Sequence, residues 1–185
     1  QWDKIFSDQE GRSYVAVILV TTTFVFFALI SQGSSIDEGI FDSLFTVISI
    51  GTSTGYTNSD YMLWPVVTHI LLFLLMIVGA CAGSTSGGLK LMRVTLALKV
   101  AWREIGRIAQ PKRIFRIRMN GEVVENERLG LIVGMLFVWT GLFAISCIVL
   151  AITMPDSDFE SVVAVVASSL GNTGPTLGDY GPSNT

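Results

Sequence analysis

Hydrophobic and polar positions fall in long blocks along this chain rather than in short alternation. Positions 14–30 are apolar apart from Thr21, Thr22 and Thr23. As helix they rise about 26 Å, just enough to cross a bilayer. Ser35, with Glu38 three residues on, fits a capping box and predicts a helix start. The apolar run that follows, 41–50, has ten residues, where roughly 20 are needed to span. It ends in a polar, glycine-bearing stretch, Thr52, Ser53, Thr54, Gly55, Tyr56 and Thr57, followed by Asn58, Ser59 and Asp60 as an external turn. Positions 61–82 are apolar again and predict a return through the membrane. Within 79–88 every residue is small and four are glycine. Each glycine costs about 1 kcal/mol against Ala in a helix, so a break is expected there. Positions 91–109 are helical in pattern, with Arg93, Lys99, Arg103 and Arg107 among apolar residues, and Pro111 ends them. The segment 115–125 reads as a β-hairpin turning at Asn120 and Gly121, a type I′ pair, with charges on the two strands opposed. A spanning helix over 129–154 and a second short apolar helix over 159–170 complete the pattern.

The pattern repeats. Phe41, Asp42 and Ser43 match Phe159, Glu160 and Ser161, and Thr54 and Gly55 match Thr173 and Gly174. Asp60 matches Asp179. The offset is 118 at the start and 119 in the loops, so one residue has been added in between. Each copy holds a spanning helix, an acidic external link, a short helix and a polar glycine loop. The first copy also holds its second spanning segment. The chain has no initiating Met and ends a few residues past the second loop. A longer protein, with a further spanning helix, is therefore expected.

Half of the 185 residues are hydrophobic and 15% are charged, which suits a multi-span membrane protein. Lys4 and Arg12 precede the first apolar block, and the other ten basic residues lie between Lys90 and Arg128. The regions 31–61 and 155–185 have no basic residue and eight acids: Asp37, Glu38, Asp42, Asp60, Asp156, Asp158, Glu160 and Asp179. Basic loops stay in the cytoplasm. The N-terminal arm and 90–128 are thus expected inside, and both polar loops outside. Trp2 and Tyr14 are candidate interface aromatics. That same rule accounts for the basic segment without nucleic acid. Asp37, Glu38, Asp158 and Glu160 are placed to cap the short helices; Asp60 and Asp179 draw cations to the mouth or fix the turns. Cys81 and Cys147 fall in apolar segments, and no disulfide is expected.

A short helix stopping part-way and a polar loop at that depth are tolerated only where protein or a water-filled cavity surrounds them. A dehydrated cation needs several oxygens, and backbone carbonyls supply them without fixed charge. Glycine allows backbone angles barred to other residues, so that successive carbonyls can face one axis. The preceding short helix turns its C-terminal end, about half a negative charge, toward the ion. Ser53, Thr54, Gly55, Tyr56 and Thr57 have a loose likeness to the potassium-channel filter Thr-Val-Gly-Tyr-Gly. Ordinary external turns would also carry Thr-Gly pairs, but would leave the two short helices unaccounted for. The run 83–90 is not a nucleotide-binding loop: Leu89 intervenes before Lys90, no Ser or Thr follows, and no strand precedes it. A movable gate suits it better. Lys90 either contacts that run's carbonyls or marks the cytoplasmic boundary, and the boundary is the simpler reading. His69 is expected to pack between helices. No constellation for catalysis is present, so an enzyme is not expected.

Three stretches, 50–57, 82–90 and 169–175, together resemble the TrkH/KtrB family of potassium uptake proteins over nearly the whole chain. The resemblance implies an all-α membrane protein of helix–pore helix–filter loop–helix repeats, of potassium-channel type, with a small cytoplasmic β-hairpin. It implies a third-type repeat over 1–110 (spanning helix 14–30, pore helix 41–50, filter 52–57, broken inner helix 61–110). A hairpin linker, 111–128, then leads to a partial fourth repeat over 129–185 (spanning helix 129–154, pore helix 159–170, filter 171–176). The filter positions fall on Thr52, Ser53, Thr54, Gly55 and Tyr56 and on Gly171, Asn172, Thr173, Gly174 and Pro175. The gating loop falls on Gly79, Gly83, Ser84, Thr85, Ser86, Gly87, Gly88 and Lys90. Implied too are K+ as the transported ion (with Na+ open), no covalent cofactor, and nucleotide only on a partner. The implied partners are a second copy, a cytosolic nucleotide-binding regulatory subunit of TrkA/KtrA type, and membrane lipid. The implied location is a prokaryotic plasma membrane. A transporter of another solute, or a non-conducting membrane anchor, are the alternatives the residues leave open.

Overall fold

The fold, taken from a computed structural model, is described for residues 8–84, 86–110 and 116–181. The expectations placed on Trp2, Lys4, Thr85, Pro111 and Phe115 lie outside the described residues.

Helix α1 runs Gln9–Ser31. It starts ahead of the apolar block because Asp8 caps it, its carboxylate accepting from the Glu10 and Gly11 amides. Helix α2, Ile36–Gly51, has 16 residues rather than the ten of the apolar run. The cap at Ser35 sets the start: the Glu38 amide donates to Ser35 Oγ at 3.4 Å. The Ser35 hydroxyl, not its amide, bonds the Glu38 carboxylate at 2.8 Å. At about 1.5 Å per residue, α2 still rises less than the ~30 Å hydrocarbon thickness.

The expected helix over 61–82 is not continuous. A 3-10 turn, Tyr61–Leu63, comes first, and α3 occupies only Val66–Val78. Pro65 is the reason: it holds Trp64 in extended backbone, so the helix begins after it. At the other end Gly79 adopts φ 66 and stops α3. After the glycine run, α4 spans Leu91–Ala109.

Strands β1, Arg118–Met119, and β2, Glu122–Val123, pair antiparallel. Asn120 and Gly121 both have positive φ, as a type I′ turn requires. The register sets Arg118 opposite Val123 and Met119 opposite Glu122. Arg118 and Glu122 therefore fall on opposite faces rather than across from each other. Helix α5, Asn126–Thr153, has 28 residues, and α6 is Phe159–Gly171. A second 3-10 turn, Gly178–Tyr180, follows.

Helix α1 lies along α2, α3 packs on α6, and α5 covers α6 on one side and α4 near its start. The core forms where the two copies meet: Val25, Leu29, Val47, Ile50, Leu72, Met76, Ala164 and Ala167 are buried together. A smaller cluster, Leu96, Ile117, Met119 and Leu129, seats the hairpin on α4 and α5. Helices α1 and α5 are long and apolar enough to cross a membrane. Both cysteines are free thiols.

Candidate functional site

The two polar loops follow the C-terminal ends of α2 and α6 and take nearly the same path. Ser53 and Asn172, each two residues before a glycine, are left-handed at φ 57 and φ 52. Gly55 and Gly174 follow at φ 81 and φ 98. The Thr54 amide donates to the Ser49 carbonyl at 2.9 Å, and the Thr173 amide to the Ser168 carbonyl at 3.0 Å. Ser49 and Ser168, both buried, are structural parts of the site that the motif reading passed over. Their signal was their place: they keep the offset of 119 seen in the loops.

The loops touch. A Cβ built on Gly55 would lie 2.6 Å from the Thr173 carbonyl oxygen, so only glycine fits at that approach. Among the described residues no hydrogen bond is made to the carbonyls of Ser53, Thr54 and Gly55, or of Asn172, Thr173 and Gly174. The Tyr56 carbonyl is already engaged, accepting from the Ser49 hydroxyl at 2.6 Å. Thr52 Oγ1 donates to the Ile48 carbonyl at 2.7 Å and meets Thr54 Oγ1 at 2.7 Å. Thr173 Oγ1 is buried with no hydrogen-bond partner. Outside the first loop, Asn58 Nδ2 donates to Asp42 at 2.6 Å, and Asp60 accepts from the Met62 amide, which fixes the turn.

The glycine run sits directly against these loops. The Gly88 amide donates to the Leu170 carbonyl at 3.1 Å. A Cβ on Gly87 would lie 2.7 Å from that oxygen. Ser53 Oγ and Ser86 Oγ meet at 2.7 Å, which ties the first loop to the run. Gly79 begins the break, Gly83 stands in open space, and the Ser84 hydroxyl bonds back to Cys81. Lys90 does contact the run, against the simpler expectation. Its ammonium donates to the Ala82 carbonyl at 3.2 Å and the Ser84 carbonyl at 2.9 Å. From the other side the Ala82 amide donates to Glu10 Oε1 at 2.5 Å. The two peptide groups flanking Ala82 are thus held by an anion on one side and a cation on the other. Both groups come from helix ends, Glu10 in the first turn of α1 and Lys90 just before α4.

That first turn is itself tied to the hairpin. Asn120 Nδ2 donates to Asp8 at 2.8 Å, and the Gln9 amide donates to Asn120 Oδ1 at 2.9 Å. The Asn120 amide, then the Gly11 N–H, hold the Asp8 carboxyl below the usual carboxylate range. Among the described residues no group of three His, Cys, Asp or Glu is arranged to hold a metal ion. The available ligands are neutral backbone oxygens and one hydroxyl, which suit a weakly held monovalent cation.

A family model described as "TrkH: Cation transport protein" matches residues 13–184. The chain is 28% identical over 176 residues to the Trk system potassium uptake protein TrkH of Vibrio parahaemolyticus, covering 94% of this chain and 36% of that protein. It is 30% identical over 175 residues to the Trk system potassium uptake protein TrkH of Escherichia coli, covering 92% and 35%. A crystal structure of the potassium transporter TrkH from Vibrio parahaemolyticus superposes with a TM-score of 0.86 at 27% identity, covering 95% of this chain and 37% of that one. The chain spans about a third of the length of these relatives.

Proposed function

The chain belongs to the TrkH family of cation transport proteins, a family of transporters rather than enzymes, and from that premise we propose that it forms half of the pore of a membrane potassium uptake subunit. In this reading 1–110 is a third-type repeat, 111–128 a linker and 129–185 part of a fourth. Helices α2 and α6 are pore helices, and 52–57 and 171–176 are two of four filter segments around one axis. Two loops cannot ring an ion, so conduction belongs to the longer protein.

The observation that carries the reading is the pair of touching loops with like backbone and unengaged carbonyls. K+ entering from outside exchanges its water for those oxygens. The helix ends behind them favour positive charge. Of the acids in the outer links, Asp60 and Asp179, which follow the loops, raise local cation concentration at the mouth. The glycine run below the filter is the gate, latched by Lys90 and Glu10. Its small side chains leave room for it to move aside. The assembly proposed is a homodimer in the plasma membrane, with both loops outside. The basic segment near 90–128 is proposed to receive a cytosolic nucleotide-binding regulatory subunit, of the TrkA/KtrA type that the resemblance implies.

The test uses the full-length protein in a host lacking its own potassium uptake. Gly55→Asp is expected to abolish growth at low K+ with the protein still present in the membrane. Normal growth of that variant at normal abundance would sink the filter assignment.

A further inference from the structure

We propose that Tyr61 and His69 form a bracket in which the first copy sets the position of the second copy's filter loop, and with it the discrimination between K+ and Na+. The inference rests on the filter reading above and deepens it. Tyr61 is fully buried, and its hydroxyl donates to the Thr176 carbonyl at 2.7 Å. Thr176 directly follows Pro175, at the outer end of the second loop. The Tyr61 carbonyl in turn faces His69 Nε2 at 2.9 Å. A carbonyl only accepts, so Nε2 carries the proton in this bond. The other ring nitrogen, Nδ1, lies 3.1 Å from Glu160 Oε1. Glu160 is in the first turn of α6.

The bracket therefore grips both ends of one functional unit. Glu160 marks the start of the second short helix and Thr176 the end of its loop. Both are held from a turn and a helix that belong to the first copy, across sequence separations of 91 and 115 residues. Tyr61 packs edge-on against Trp64, but packing alone gives no reason for its hydroxyl to meet a loop carbonyl. Nor is that reach a general need of the turn. Tyr180, at the matching place in the second copy, is 40% exposed and its hydroxyl meets Ser157 instead. A filter loop discriminates between ions through the spacing of its oxygens, and anchoring the Thr176 carbonyl restricts that spacing. Tyr61 touches no ion in this account; it and His69 are positioning residues.

The experiment measures K+ uptake, and its inhibition by Na+, in cells carrying the full-length protein. Tyr61→Phe keeps the ring and removes only the hydroxyl. Its abundance and Vmax should match wild type. Its KM for K+ should rise about threefold to tenfold, the range one net hydrogen bond supports, and Na+ should inhibit at correspondingly lower concentration. His69→Leu, which leaves Tyr61 intact, should move both quantities the same way, and His69→Gln, which keeps an N–H donor, should recover most of the loss. Wild-type KM and Na+ inhibition in Tyr61→Phe would overturn the bracket. Wild-type protein with no saturable K+ uptake would overturn the filter reading and the bracket with it.

Discussion

In both loops a left-handed residue precedes a glycine by two positions, and in both a helix serine five residues earlier takes the Thr amide. Their side-chain bonds then diverge. The first loop is tied inward, through Ser53 to Ser86 of the glycine run. The second is tied outward and sideways: its end goes to Tyr61, and the Asp179 amide beyond it donates to Ser161 at 2.8 Å. Ser49 supplies its hydroxyl as a donor to Tyr56, whereas Ser168 accepts from the Gly174 amide. What the repeat preserves is a backbone path. The bracing is free to differ, and here it connects one loop to the proposed gate and the other to the outer face.

That contrast can be broken by experiment, in descending order of effect. Gly55→Ala puts a Cβ against the Thr173 carbonyl and should abolish uptake. A Cβ on Gly174 comes no nearer than 3.9 Å to other atoms. Gly174→Ala then carries only the cost of a left-handed alanine, about 1–2 kcal/mol, and uptake should fall roughly tenfold. Equal losses would remove the asymmetry. Next, Lys90→Ala or Glu10→Gln leaves the backbone at Ala82 without one of its charged partners. Bonds to charged groups contribute about 1.5–3 kcal/mol, so resting K+ leak should increase about tenfold. An unchanged leak would make the run a packing element. The smallest effect lies at Asp8. Its folded pKa is lowered, so its contribution is present above the unfolded carboxylate value of about 3.9 and is lost as pH falls through the folded value. Asp8→Asn should lower Tm of the detergent-solubilised protein slightly at pH 7, and that difference should vanish in strong acid. A difference independent of pH would assign the effect to the helix cap alone.

The elements most visible in the sequence were those written in local chemistry. The Asn-Gly pair located the hairpin turn, Ser35 and Glu38 located the start of α2, and the run of glycines located the break after α3. The length of α3 was also readable, because Pro65 forbids helix at Trp64, but the apolar block masked that signal. The pairing at Arg118 was readable too, since a two-residue turn at Asn120 and Gly121 fixes the register and puts Arg118 against Val123. Ser49 and Ser168 were hidden among helix residues and emerge only when the loop offset is carried back into the helices. The joins between copies had no local signature at all. Tyr61 and Thr176 are 115 positions apart, and no periodicity encodes their meeting.

Helix α5 buries only Leu129 and turns Phe137, Val138, Ile148 and Ile152 outward. Its 28 residues suffice to enter a bilayer without help from the rest of the chain. Helix α6 cannot do so: at 13 residues it is too short, and its Ser161 and Ser168 are buried against protein. During synthesis, then, α5 can leave the translocon for lipid as soon as it emerges. Helix α6 has no such independence: it is satisfied only by packing on α3, which precedes it in the chain and is already made when α6 emerges.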